Sequence, residues 1–149
     1  MKKSKNKKCF EISVSNYEDI ILARQKVKLL MQDMGFSLLA QTRIITAVSE
    51  LARNIVIHAG QGSMSACQVV KKGKISAYEL NRKKNVRGLE CVFEDNGPGI
   101  ADIGEAMKEG FTTSNSLGLG LGGARRLCKE FRIESTVGKG TKITITEWL

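Results

Sequence analysis

No stretch of about 18 consecutive apolar residues occurs in this 149-residue chain, so no membrane-spanning helix is expected. The four cysteines, Cys9, Cys67, Cys91 and Cys128, form no CxxC pair, and histidine occurs once, at His58. That scarcity argues against a Cys/His zinc site and a disulfide framework, and it predicts free thiols in a reducing cytoplasm. A Ser-His-Asp or Cys-His catalyst would depend on His58, and nothing near it supports one. A secretory signal is lacking too, since Cys9 to Ser15 includes Glu11 and alternates in polarity. The chain also lacks a GxxxxGK[ST] phosphate loop, the HRD and DFG motifs of protein kinases, an internal repeat and a regular βαβ alternation.

What is abundant is positive charge, a formal net +9. It is local. Lys2, Lys3, Lys5, Lys7 and Lys8 form a tail with no acid, and seven basic residues between Lys71 and Arg87 face only Glu79. Outside those segments acids outnumber bases. A nucleic-acid surface would interleave bases with aromatics for stacking, yet Tyr78 is the one aromatic in either segment. Nucleic acid is therefore not an expected partner, and neither is a membrane. With 42% hydrophobic residues the remainder can build a core, so residues 9–149 are expected to form one domain behind a disordered tail at 1–8.

Polarity alternates over Phe10, Ile12 and Val14, the period of a half-buried strand. Ser15 or Asn16 can cap a following helix that ends at Gly35, and Ser37 can cap a second one ending near Ala59-Gly60. A Gly- and Ser-containing connection from Gly60 to Gly73 leads to strands expected at Ile75–Leu80 and Leu89–Phe93. A short helix is expected from about Asp102 to Glu109. A further helix burying Leu121, Ala124, Leu127, Cys128 and Phe131 precedes strands at Ile133–Val137 and Thr141–Trp148. The order implies an α+β fold, a two-layer sandwich with a mixed, mostly antiparallel sheet and helices on one face.

Four short segments carry chemistry. Glu50 and Asn54 lie one helical turn apart, so they share a face with Thr46 and His58. That face reads either as solvated surface or as a general base beside an oxygen ligand for Mg²⁺. Asp95-Asn96-Gly97-Pro98-Gly99 follows an apolar strand; it reads as a strand-ending turn or as a carboxylate with backbone that a flat ligand can approach. Gly118 to Gly123 opens a helix and matches GxGxxG, but no buried strand precedes it, so a Rossmann site is excluded. Gly138-Lys139-Gly140-Thr141 reads as a hairpin turn with a hydroxyl at its end.

In this order and spacing the four segments resemble the N box and glycine boxes of the GHKL (Bergerat-fold) ATPase/kinase superfamily. The finer detail of SELARNI, EDNGPGI, GFTTSNSLGLGLGGARRL and the Trp148-Leu149 end resembles RsbT-type switch kinases and anti-sigma-factor kinases. The resemblance implies an ATP- and Mg²⁺-dependent serine kinase in the cytoplasm. Its substrate would be a STAS-domain regulator, with a metal-dependent serine phosphatase or a sigma factor as the other partner. A non-catalytic ATP-binding module that sequesters such a partner is the alternative, and monomer or homodimer stays open.

By the same resemblance, Glu50 would be the base and Asn54 the Mg²⁺ ligand. Asp95, with Thr141, would bind adenine, and Gly97 and Gly99 would make room for it. Gly118, Gly120 and Gly122 would close over the triphosphate, with Thr113 and Ser114 in a mobile lid. No Lys or Arg lies between Phe111 and Gly123, which leaves Arg53, Arg125 or Arg126 to meet the γ-phosphate. The Gly60–Lys72 connection is expected to be a partner-specific loop.

Overall fold

The computed structural model describes residues 8–72, 85–108 and 120–149. Most of the Lys tail, the strand expected at Ile75–Leu80, and lid residues Thr113, Ser114 and Gly118 lie outside the described residues.

Local chemistry sets the first half of the chain. Strand β1 spans Cys9–Val14 and turns Phe10, Ile12 and Val14 towards the core. Helix α1, Tyr17–Met34, starts where the Asn16 side chain accepts the Asp19 N–H at 3.0 Å, and it stops at Gly35, whose φ is 88°. Helix α2, Leu38–Asn54, is capped by Ser37, which accepts the Ala40 N–H at 3.1 Å. Its regular hydrogen bonding gives way directly after Asn54 to a π-helical turn, Ile55–Ala59. The helix expected to run unbroken to Ala59 therefore changes its winding beside the candidate site, a common place for π geometry.

The second half is β2 (Gly62–Lys72), β3 (Asn85–Asp95), α3 (Ile103–Ala106), α4 (Gly120–Arg126), β4 (Glu130–Thr136) and β5 (Gly140–Trp148). Strand β2 corrects the expectation of a loop at Gly60–Lys72. It pairs with β3 along its whole length and with β1 from Gly62 to Cys67. Pairing on both edges outweighs its Gly- and Ser-containing composition. Helix α4 also ends earlier than its apolar period suggests, and Phe131 belongs to β4.

Among the described residues the strands form one sheet in the order β1-β2-β3-β5-β4 with every ladder antiparallel, in line with the mostly antiparallel sheet expected. Met64, Phe93, Ile143 and Ile133 share one row of the register, as do Ala66, Cys91, Ile145 and Phe131. These rows meet Val27, Met31, Ile44, Val48 and Leu51 of α1 and α2 in the core. Burying each large aliphatic side chain contributes about 1.5–3 kcal/mol, which holds both helices on one face. Among the described residues no helix is long and apolar enough to cross a membrane.

The cysteine expectation needs a second correction: Cys9 and Cys67 form a disulfide, while Cys91 and Cys128 are free. The β1–β2 register sets Cys9 opposite Cys67 with Cα atoms 4.2 Å apart. The Gln68 N–H donates to the Lys8 carbonyl at 3.0 Å in the neighbouring pair, so Cys9 and Cys67 occupy a non-hydrogen-bonded pair, where side chains approach closest. Cysteines 58 residues apart give no sign of that register in the sequence.

Candidate active site

Glu50 sits in the last turns of α2 and is 9% exposed, on a face it shares with the half-buried Thr46, Arg53 and Asn54. Its Oε1 accepts from Arg53 Nη1 at 3.1 Å. Asn54 follows at the end of α2 and is half-buried. At 100° per residue, positions 50, 53 and 54 fall within about a quarter of the helix circumference. A carboxylate, a guanidinium and an amide are thereby gathered on one arc.

The second cluster lies at the end of β3. Asp95 pairs with Thr141 of β5 on one side and Gly62 of β2 on the other. Its Oδ1 accepts the Gly97 N–H at 2.9 Å, an Asx turn that orients the carboxylate and leaves Oδ2 as the remaining acceptor. Thr141 Oγ1 lies 2.8 Å from Ser135 Oγ, which also accepts the Ile100 N–H at 2.8 Å and donates to the Gly140 carbonyl at 3.1 Å. Ser135 thus ties the Thr141 hydroxyl to the Asp95–Ile100 loop. Nothing around Ser135 in the sequence singles it out, because its partners are met through the β4–β5 ladder.

The glycines of this loop and turn have a packing reason. A Cβ on Gly99 would lie 2.3 Å from the Thr136 carbonyl oxygen, and one on Gly140 would lie 2.0 Å from that of Asp95. Gly138 adds an N–H to the Pro98 carbonyl at 2.9 Å. The turn and the loop therefore interlock backbone to backbone. A Cβ on Gly97 would lie 2.7 Å from Ala59 Cβ, so the π turn after Asn54 rests on the corner after Asp95. That contact joins the π turn that continues α2 to the loop that continues β3.

Gly120 and Gly122 lie in α4, where Gly120 has a φ of 63° and Gly122 is buried. Helix α4 packs on α2. Beside Asp95 and Asn96 opens a cleft of about 470 Å³, lined also by Ser13, Gln61, Ser63 and Glu94. Glu50, Asn54 and Thr141 do not line it, so it lies beside the helix-and-sheet cluster, not within it.

Among the described residues no group of three His, Cys, Asp or Glu could hold a metal by itself. Asn54 and Glu50 offer hard oxygen donors, the chemistry that suits Mg²⁺, which is commonly held by one or two side chains together with substrate phosphates.

Behind the site, Arg43 of α2 donates to the Leu127 carbonyl at 2.8 Å and to Glu147 Oε1 at 2.7 Å. The hydrogen bond to Glu147 raises the Arg43 pKa further against the opposing effect of burial. The Glu147 Oε2 accepts the Lys129 N–H at 3.2 Å. Burial, then the Glu147 carboxylate, pushes the Cys128 thiol up to about 12, and burial raises Cys91 as well. Both shifts favour the protonated thiol over the nucleophilic thiolate.

Residues 40–148 match the family model described as histidine kinase-, DNA gyrase B-, and HSP90-like ATPase. The chain is 44% identical over 131 residues to the serine/threonine-protein kinase RsbT of Bacillus subtilis, covering 88% of this chain and 90% of that one. It is 32% identical over 109 residues to an anti-sigma F factor of Caldanaerobacter subterraneus, covering 71% of this chain and 68% of that one. A crystal structure of the RsbU and RsbW domains of a Mycobacterium tuberculosis protein superposes with a TM-score of 0.58 at 16% identity. That match covers 94% of this chain and 32% of the other, a likeness of fold.

Proposed function

The chain belongs to the histidine kinase-, DNA gyrase B- and HSP90-like ATPase family, and on that premise we propose that it is a protein serine/threonine kinase of the partner-switching kind. It transfers the γ-phosphoryl group of ATP to a serine of a small STAS-domain regulator in the cytoplasm. The same surface then passes to a second partner, a metal-dependent serine phosphatase or a sigma factor.

The observation that carries this reading is that the π turn following Glu50 and Asn54 rests on the loop after Asp95, at Ala59 and Gly97, while Thr141 stands opposite Asp95 on the sheet. In the reading, Asp95 Oδ2 accepts from the adenine amino group, and the Thr141 hydroxyl, held by Ser135, adds a second polar contact. Contrary to what the resemblance implied, Gly97 and Gly99 do not open space for the base; they let the Asp95 corner close against Ala59 and Thr136, which fixes where the carboxylate stands. Asn54 would hold Mg²⁺, which when bound neutralises phosphate charge. Gly120 and Gly122 of α4, with Gly118, Thr113 and Ser114 of the preceding segment, would bind the triphosphate.

Glu50 accepts the serine hydroxyl proton as the serine Oγ–P bond forms and the bond from phosphorus to the ADP oxygen breaks. Burial suits this role, because it excludes water that would compete for the phosphoryl group. Phosphoryl transfer depends on positioning and charge more than on covalent chemistry, and the site supplies both.

A transfer assay with labelled ATP, Mg²⁺ and a STAS-domain partner tests the reading. Glu50→Ala should lower transfer by about 10²–10⁴-fold, the usual range for a general base, while nucleotide binding persists. Transfer at the wild-type rate in that variant would remove Glu50 from the chemistry.

A further inference from the structure

We propose that Arg53 is a catalytic residue, whose guanidinium leaves Glu50 to contact the transferring phosphoryl group of ATP. The inference rests on the kinase reading above and adds to it the cation that the reaction needs beside the metal.

Negative charge spreads over the three equatorial oxygens of the phosphoryl group in the transition state, and fixed cations there are worth far more than in water. Residues 111–123 contain no Lys or Arg, so that part of the lid segment brings no cation of its own. Of the arginines on α2 and α4, Arg43 is held by Glu147 and by the Leu127 carbonyl just past the C-terminal end of α4. Arg125 and Arg126 are exposed in the last turn of α4. Arg53 differs from all three. Its side chain is 30% exposed, it bonds Glu50 directly, and it adjoins Asn54.

The Glu50–Arg53 bond also has a consequence for the base. With Oε1 engaged by a guanidinium, Glu50 has fewer lone pairs to offer a serine hydroxyl. A phosphate competes well for a guanidinium because its oxygens match the planar fork in a bidentate way. When Arg53 turns to the phosphoryl oxygens, Oε1 is released to accept the serine proton. The serine Oγ–P bond then forms, the bond to the ADP oxygen breaks, and the proton stays on Glu50. Arg53 changes partners and no covalent bond of its own. Charge stabilisation and release of the base are coupled through one side chain.

Calorimetric titration with MgATP and MgADP separates this role from a structural one, because only ATP carries the phosphoryl group concerned. Arg53→Ala should weaken ATP binding about 10-fold or more while ADP binding changes less than about 2-fold, as loss of one charge-assisted contact predicts. Transfer in the same variant should fall by about 10²–10³-fold, with partial recovery in Arg53→Lys, which keeps the charge and loses the fork. Thermal melts of both variants establish that they fold. An ATP-to-ADP affinity ratio equal to wild type in folded Arg53→Ala would overturn the proposal and leave the kinase reading standing. Wild-type protein that binds neither nucleotide would overturn both.

Discussion

Glu147, 2% exposed near the end of β5, receives Arg43 Nη2 at 2.7 Å from the middle of α2. The same guanidinium bonds the Leu127 carbonyl just past α4, so one side chain ties the helix of the candidate base to the sheet and to the glycine-bearing helix. Removing one member of such a pair strands a buried charge. Arg43→Met should therefore lower the unfolding free energy by about 3 kcal/mol in urea titration. The double variant Arg43→Met, Glu147→Met should recover most of that loss, since no unpaired charge then stays buried. A double variant as unstable as the single one would mean that packing, not charge, holds the three elements together.

Much of this molecule is legible where the determining chemistry is local. Asn16, Ser37 and Gly35 mark helix boundaries because their side chains or backbone act within four residues, and the structure uses all three as caps. Glu50 and Asn54 are legible together because a helix converts a spacing of four into a shared face. What escapes is set by partners distant in sequence. Strand β2 is stabilised by β1 and β3, so its Gly and Ser content misleads. Phe131 continues the apolar period of α4 and yet pairs with Ile145 of β5. Spacing does not choose among Arg53, Arg125 and Arg126, and the bond of Arg53 to Glu50 is what sets it apart.

The cysteines should divide into two chemical classes. Cys9 and Cys67 are joined across the sheet edge, so non-reduced native protein should give no adduct at either with iodoacetamide. After reduction, mass spectrometry should find both alkylated, since Cys9 is exposed and Cys67 half-buried, while buried Cys91 stays unmodified. Closure of a loop this long stabilises by about 2–4 kcal/mol, and the urea midpoint should fall on reduction accordingly. Cys128 adds a pH signature. Its pKa is raised from 9.0 to about 12, so the native state holds a proton that the unfolded chain gives up. That contribution is complete below about pH 9 and is lost as pH rises towards the folded value, so stability should drop across this window. Cys128→Ala should make the drop shallower. An unchanged alkaline slope in that variant would assign the loss to other groups.

The interlocked turn and loop offer a test of how Asp95 is placed. Gly138 and Gly140 both have positive φ, 79° and 127°, but their surroundings differ. Nothing lies within 4 Å of a Cβ at Gly138, whereas a Cβ at Gly140 would lie 2.0 Å from the Asp95 carbonyl oxygen and 2.9 Å from Asn96 Cα. Gly138→Ala should therefore cost only backbone strain, about 1–2 kcal/mol, in urea titration. Gly140→Ala adds a clash that backbone alone can relieve, by moving β5 from β3 where Thr141 stands opposite Asp95. Its stability loss should exceed that of Gly138→Ala by about 1–3 kcal/mol. ATP affinity should fall with it, because the carboxylate and hydroxyl proposed to meet adenine would no longer keep their register. Equal losses in the two variants, with ATP affinity intact in both, would show that Asp95 holds its position without the close approach of Gly140.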